Sequence, residues 1–246
     1  CSLGPLIHNH EVVQRLERMG LKVVDSLEGM ERGALMIRTH GATPATLDEA
    51  RRRGLEVIDA TCPFVKRAQS AAADMLREGY TVIVVGDREH PEAAGIVART
   101  GGRALIVEAA DELEGLDVPK RIGIVAQTTQ RVENVAEVAA ALLPRCEELR
   151  IANTICDATA SRQAAAARLA EEVDVMIVVG GLHSANTRRL AEICADRGTE
   201  TYHIESANDI DPAWVDGAEH VGITAGASTP DSALAAVRTR LEELAR

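Results

Sequence analysis

Residues 61–92 read TCPFVKRAQSAAADMLREGYTVIVVGDREHPE, and residues 155–186 read ICDATASRQAAAARLAEEVDVMIVVGGLHSAN. Each stretch has a cysteine, an alanine-rich helical pattern, a short β-branched run and a glycine. From Cys62 to Gly86 is 24 residues, and from Cys156 to Gly180 is again 24. The offset between the two copies is 94, which sets His90 against Ser184 and Glu92 against Asn186. Self-similarity at a fixed offset is the mark of a repeated supersecondary unit. Val82–Val85 and Met176–Val179 are continuously apolar, as in strands covered on both faces, so the unit is helix, parallel strand, helix.

Outward from these copies the same alternation continues. Strands are expected at Leu21–Val24, Ala34–Arg38, Leu55–Asp59, Thr81–Val85, Arg103–Val107, Arg121–Val125, Val175–Val179, Thr201–Ile204 and His220–Thr224. Pro44, Pro63, Pro91 and Pro230 stand just inside the predicted helix starts, where a missing N–H costs nothing. Gly20, Gly54 and Gly79 stand where helices should end. Leu234, Val237, Leu241 and Leu244 share one face of a last helix from Pro230 to Ala245. The first part of the chain reads as the same unit without its front, with Gly4 matching Gly86 and Gly180 and His8 matching His90 and Ser184. The fold class is therefore α/β, with three similar lobes of short, mostly parallel sheets around a pseudo-threefold axis and a central cavity. The lobes are expected over 1–61, 62–155 and 156–246, the first incomplete. The repeat places a further cysteine about twenty residues upstream of residue 1, and the natural N-terminus is expected to be missing from this sequence.

Composition narrows the function classes. Lys and Arg number 27 against 38 Asp and Glu, a formal charge of -11, and aromatic residues are 2% of the 246. Such a chain has neither a broad basic field for a phosphate backbone nor a stacking platform for bases. No apolar run is long enough for a spanning helix. Five widely spaced cysteines do not make a disulfide framework, which points to a reducing, cytoplasmic compartment, a lost targeting segment aside.

In open parallel sheets, ligands bind beyond the carboxyl ends of the strands. His8, His40, His90, Glu92, Thr128, Ser184, Asn186 and Ser228 all fall in such strand-to-helix turns, and Cys62 and Cys156 fall at helix starts. Helix N-termini carry partial positive charge, so several aimed at one pocket would hold a compact anion such as a diphosphate and favour thiolate. Each residue also has a plain structural reading. A cysteine at a helix start can be an ordinary thiol, the histidines can be caps or core residues, and Glu92 can complement a helix dipole. The matched spacing favours ligation by Cys62 and Cys156. One thiolate per repeat is wrong for a zinc ribbon but suits a 4Fe-4S cube with one iron left open to a substrate oxygen. Cys1, Cys146 and Cys194 have no repeat partners.

These residues resemble the LytB-type 4-hydroxy-3-methylbut-2-enyl diphosphate reductases. The matching strings are Leu3-Gly4-Pro5-Leu6-Ile7-His8-Asn9, Thr39-His40-Gly41, Asp59-Ala60-Thr61-Cys62-Pro63 and Glu89-His90-Pro91-Glu92. Ala126-Gln127-Thr128-Thr129, Thr154-Ile155-Cys156, Arg162-Gln163, Ser184-Ala185-Asn186 and Thr224-Ala225-Gly226-Ala227-Ser228 follow in order. The resemblance implies a 4Fe-4S cofactor with Cys62 and Cys156 as two of three protein ligands. It implies Glu92 as the proton-delivering acid with Thr128 beside the reacting hydroxyl. His8, His40, His90, Thr128, Ser184, Ala185, Asn186 and Ser228 would contact the substrate and its diphosphate. The implied reaction is reductive dehydroxylation to isopentenyl and dimethylallyl diphosphate, the last step of the methylerythritol phosphate route, with ferredoxin or flavodoxin as electron donor. Two departures stand out: the family's first cysteine has no counterpart here, and Ala185 replaces a serine usual in the family. They leave open a second expectation, a cluster-less relative that binds diphosphates in a regulatory role.

Overall fold

The computed structural model describes residues 1–245. The chain divides into two compact units, one formed by Cys1–Ile7 with Leu16–Cys156 and the other by His8–Arg15 with Asp157–Arg246. Every strand pair among the described residues is parallel. The mostly parallel α/β reading thus holds, and the strands gather into three short sheets.

The first unit holds two sheets. One has the order β2-β1-β3-β4, from β1 (Ser2–Leu3), β2 (Val23–Val24), β3 (Ala34–Ile37) and β4 (Glu56–Asp59). The other has the order β6-β5-β7-β8, from β5 (Thr81–Val85), β6 (Leu105–Val107), β7 (Arg121–Ala126) and β8 (Glu148–Ala152). β5 is apolar from Val82 to Val85 because both its faces are covered. Ala68, Ala72 and Met75 of α3 (Pro63–Arg77) pack with Val82 and Val84, while Val135, Val138 and Leu142 of α5 (Val132–Leu142) pack with Ile83 and Val85. The unit's other helices are α2 (Pro44–Arg52) and α4 (Pro91–Arg99). α1 (His10–Arg18) joins β1 to β2, its residues to Arg15 grouping with the second unit.

The second unit holds one sheet of order β10-β9-β11, from β9 (Val175–Val179), β10 (Glu200–Ile204) and β11 (Val221–Ala225). Met176 and Val178 face α6 (Asp157–Ala170) and α7 (Ala185–Asp196), through Ala166, Ala170, Leu190 and Cys194. Val175, Ile177 and Val179 face Val237 of α8 (Asp231–Leu244).

Two local expectations need correction. β8 is a strand that hydrophobic patterning does not announce: Glu-Leu-Arg-Ile-Ala is an edge strand, and its Glu148 and Arg150 make ion pairs with Arg121 and Glu78. Pro230 is the residue before α8 rather than its first residue, whereas Pro44, Pro63 and Pro91 do open their helices.

A backbone detail recurs where each four-stranded sheet hands the chain on. The Cys62 N–H donates to the Thr39 carbonyl at 3.0 Å, and the Cys156 N–H donates to the Thr128 carbonyl at 3.1 Å. In both, the chain leaving the fourth strand is pinned to the turn that follows the third.

Candidate active site

In the first unit, hydrogen bonds and ring contacts connect six of the expected residues. Cys62 precedes the first turn of α3, and its N–H is bound to Thr39, next to His40. The His40 ring meets the His90 ring edge to face, with centroids 5.1 Å apart. His90 caps α4, its Nδ1 accepting from the Glu92 N–H at 3.2 Å. The Glu92 carboxylate turns to the chain after β7, accepting from the Thr128 N–H at 2.6 Å and the Thr128 hydroxyl at 2.9 Å. The Thr128 carbonyl returns to Cys156. A further contact joins the two cysteine segments, where the Arg67 guanidinium of α3 donates to the Ile155 carbonyl at 3.4 Å.

Glu92 is 1% exposed and has no cationic partner among its hydrogen bonds. Burial pushes its carboxyl up from the usual carboxylate range to about 7, opposed by the two Thr128 hydrogen bonds and reinforced by the Asp87 charge. A carboxyl that keeps its proton near neutrality is fitted to general-acid work. Cys62 and Cys156 are half-buried cysteines, in no disulfide, at helix N-termini. Cys194 is fully buried, and burial pushes its thiol up to about 11, so it has the character of an inert core thiol.

The second unit gathers the other expected residues. The Ser228 hydroxyl donates to the His8 carbonyl at 3.3 Å. A Cβ on Gly181 would lie 2.6 Å from that same carbonyl, so only glycine lets the turn after β9 approach so closely. Ser184 caps α7, its hydroxyl accepting from the Thr187 N–H at 3.3 Å. Ala185 is buried and its side chain brings no polar atom. Asn186 is 5% exposed, and both polar atoms of its carboxamide are buried with no hydrogen-bond partner among the described residues. An orphaned amide of this kind needs an explanation, and a polar ligand is one.

Sequence reasoning passed over Thr187. Its hydroxyl is also buried without a hydrogen-bond partner among the described residues, and it packs where a Cβ on Gly226 would stand. A threonine three residues after a serine cap looks like ordinary helix, and only the packing against Gly226 marks it.

The LytB protein family profile matches residues 1–242. The chain belongs to the LytB family. Among LytB relatives, the 4-hydroxy-3-methylbut-2-enyl diphosphate reductase of Geobacter sulfurreducens is 52% identical over 242 residues, covering 98% of this chain and 86% of that one. A solved structure of (E)-4-hydroxy-3-methyl-but-2-enyl diphosphate reductase, described as the terminal enzyme of the non-mevalonate pathway, is 42% identical with a TM-score of 0.69. It covers 98% of this chain and 87% of its own. The E-1-hydroxy-2-methyl-but-2-enyl-4-diphosphate reductase of Plasmodium falciparum is 26% identical with a TM-score of 0.91, covering 100% of this chain and 78% of its own. No helix among the described residues is long and apolar enough to cross a membrane.

Proposed function

We propose that this chain carries out the reductive removal of the allylic hydroxyl of 4-hydroxy-3-methylbut-2-enyl diphosphate, giving isopentenyl and dimethylallyl diphosphate. The observation that carries the reading is the Glu92–Thr128 pair, a buried acid poised near neutrality whose partner is bonded to the backbone of Cys156. Losing a hydroxyl as water takes a proton onto the departing oxygen, and Glu92 holds that proton with the Thr128 hydroxyl fixing the carboxyl's orientation.

Cys62 and Cys156 suit an iron–sulfur centre, being soft sulfur donors free of disulfides, with their backbone N–H groups already committed to Thr39 and Thr128. When bound, a 4Fe-4S cluster supplies electrons singly and an iron that polarises a C–O bond. The chain's own residues do the rest. In the second unit, Ser184, Asn186 and Ser228 offer hydroxyl and amide groups to the diphosphate, with His8 beside them and the N-terminus of α7 adding its partial positive charge. In the first unit, His40 and His90 offer ring nitrogens beside the acid. Ala185 withdraws one hydroxyl that the family usually has, a loss of about 1.5–3 kcal/mol if the bond went to a charged phosphate. Two electrons and two protons are consumed overall, one proton leaving in water and one ending on carbon. A one-electron protein donor such as ferredoxin or flavodoxin suits that stoichiometry.

The test is anaerobic reduction of the diphosphate by the iron- and sulfide-loaded chain and by its Glu92→Gln variant. Substrate affinity is expected to survive in the variant and turnover to fall by at least 100-fold, the scale of a lost general acid. Unchanged turnover would overturn the acid's role. Tight diphosphate binding with no loaded cluster in the parent chain would favour the cluster-less binder instead.

A further inference from the structure

Arg38 follows the last residue of β3, and its guanidinium has no hydrogen-bond or ion-pair partner among the described residues. The three arginines that close α2 are neutralised nearby: Arg51 pairs with Asp48, and Arg52 and Arg53 pair with Glu49. Arg38 is half-buried, and burial alone draws its pKa below the ordinary arginine value. A partly desolvated cation without a counter-charge is unfavourable, and an anionic ligand would relieve it.

A cavity of about 120 Å³ lies beside it, walled by the end of β3, the start of α2 and the α4 face of Pro91, Ala94 and Gly95. That is the space of roughly four water molecules. Arg38 is the single charged residue lining it. A second donor comes from α3. Gln69 is 4% exposed, and its Nε2 is buried with no hydrogen-bond partner among the described residues. The Arg99 Nε donates to the Gln69 Oε1 at 3.4 Å, which fixes the orientation of the amide. A Cβ on Gly41 would stand 2.9 Å from the Gln69 Nε2, and a Cβ on Gly95 would stand 3.2 Å from it. Both glycines line the cavity, and their missing side chains leave the amide nitrogen open to it. A third donor is at the start of α2. The Thr43 Oγ1 accepts from the Thr46 N–H at 3.2 Å and lies 2.9 Å from the Thr46 hydroxyl. One hydroxyl proton is used within that pair, and the other is left to donate. Both threonines line the cavity.

We propose that this cavity binds one small tetrahedral oxyanion of the phosphate class, with Arg38 pairing its charge, the Gln69 Nε2 donating from α3 and the Thr43–Thr46 hydroxyl pair donating from the start of α2. Donors on three elements suit a tetrahedral ion. A planar carboxylate would be satisfied by the guanidinium fork alone. The N-terminus of α2 adds its partial positive charge to the same space. All of these residues belong to the first unit, and none is among those given above to the diphosphate substrate.

The test is titration of the nitrogen-labelled chain with inorganic phosphate, at ionic strength held constant with chloride, read by NMR at the Gln69 side-chain amide and the Arg38 Nε. Both signals should shift and saturate together. Arg38→Gln should weaken the affinity about tenfold or more, the scale of a lost bond to a charged group. Gly95→Ala keeps every donor but crowds the Gln69 nitrogen, and it should weaken the affinity as well. Asn186→Leu should leave the titration unchanged. Methyl phosphate separates the two sources of such an ion. Affinity equal to that of phosphate assigns the site to the phosphoryl end of an ester, and affinity about tenfold weaker assigns it to the free ion. No saturable shift at Gln69, or acetate acting as well as phosphate, overturns the proposal. A response lost in Asn186→Leu and kept in Arg38→Gln also overturns it, by assigning the anion to the second unit.

Discussion

Glu92→Gln is expected to change how stability depends on pH, and the size follows from the site. In the folded chain, burial raises the Glu92 carboxyl from 4.5 to about 7. The folded state therefore holds this proton more tightly than the unfolded state. Its contribution is fully present below pH 4.5 and is lost as pH rises through 7. At 1.36 kcal/mol per pKa unit, the shift is worth about 3 kcal/mol between those limits. Glutamine keeps the acceptor for the Thr128 N–H and has no charge to desolvate. Urea unfolding followed by circular dichroism at pH 4.5, 6, 7 and 8 gives the comparison. The parent chain should lose about 3 kcal/mol more than the variant across that range. A stability difference that stays constant with pH would refute the argument, because the carboxyl would then not be the desolvated, proton-holding group its burial implies.

Other perturbations have defined outcomes. Thr128→Val removes one of the two hydrogen bonds that oppose the rise at Glu92, so the carboxyl's pKa should move further up, read by NMR titration of a labelled side chain. Asn186→Leu replaces an amide that has no partner, so urea stability should change by less than about 1.5 kcal/mol. Diphosphate affinity, measured calorimetrically, should fall in the same variant. Gly226→Ala drives a methyl into Thr187 and should cost about 1–3 kcal/mol of stability, while diphosphate-bound chain should recover little of it. At pH 8, iodoacetamide should modify Cys62 and Cys156 well before Cys194, which is buried with its thiol pushed up to about 11.

The architecture was legible where burial is symmetrical. Val82–Val85 and Val175–Val179 are covered on both faces, so their sequences are unbroken apolar runs and the repeat is visible in them. It was illegible at β8, where one strand serves both as sheet edge and as lid over Ile122 and Ile124. Its polar positions answer to Arg121 and Glu78, which no local pattern reveals. The candidate site divides in the same way. The turns holding His40, His90 and Ser184 follow from strand ends and helix caps. The Glu92–Thr128 contact spans 36 residues, and the orphaned amide of Asn186 is a property of packing. Thr187 shows that boundary most clearly, since its hydroxyl matters through what surrounds it in three dimensions.

The central claim of the proposed function is that the sulfur atoms of Cys62 and Cys156, whose backbone N–H groups are bound to Thr39 and Thr128 on either side of the His40, His90 and Glu92 contacts, hold one iron–sulfur centre. Its most direct measurement is iron and sulfide bound per chain, with the visible thiolate-to-iron absorption, after anaerobic reconstitution of the parent chain and of Cys62→Ser and Cys156→Ser. The account predicts a coloured parent and at least half of the iron and sulfide lost in each variant. A colourless parent, or variants that load as fully as it does, would contradict it.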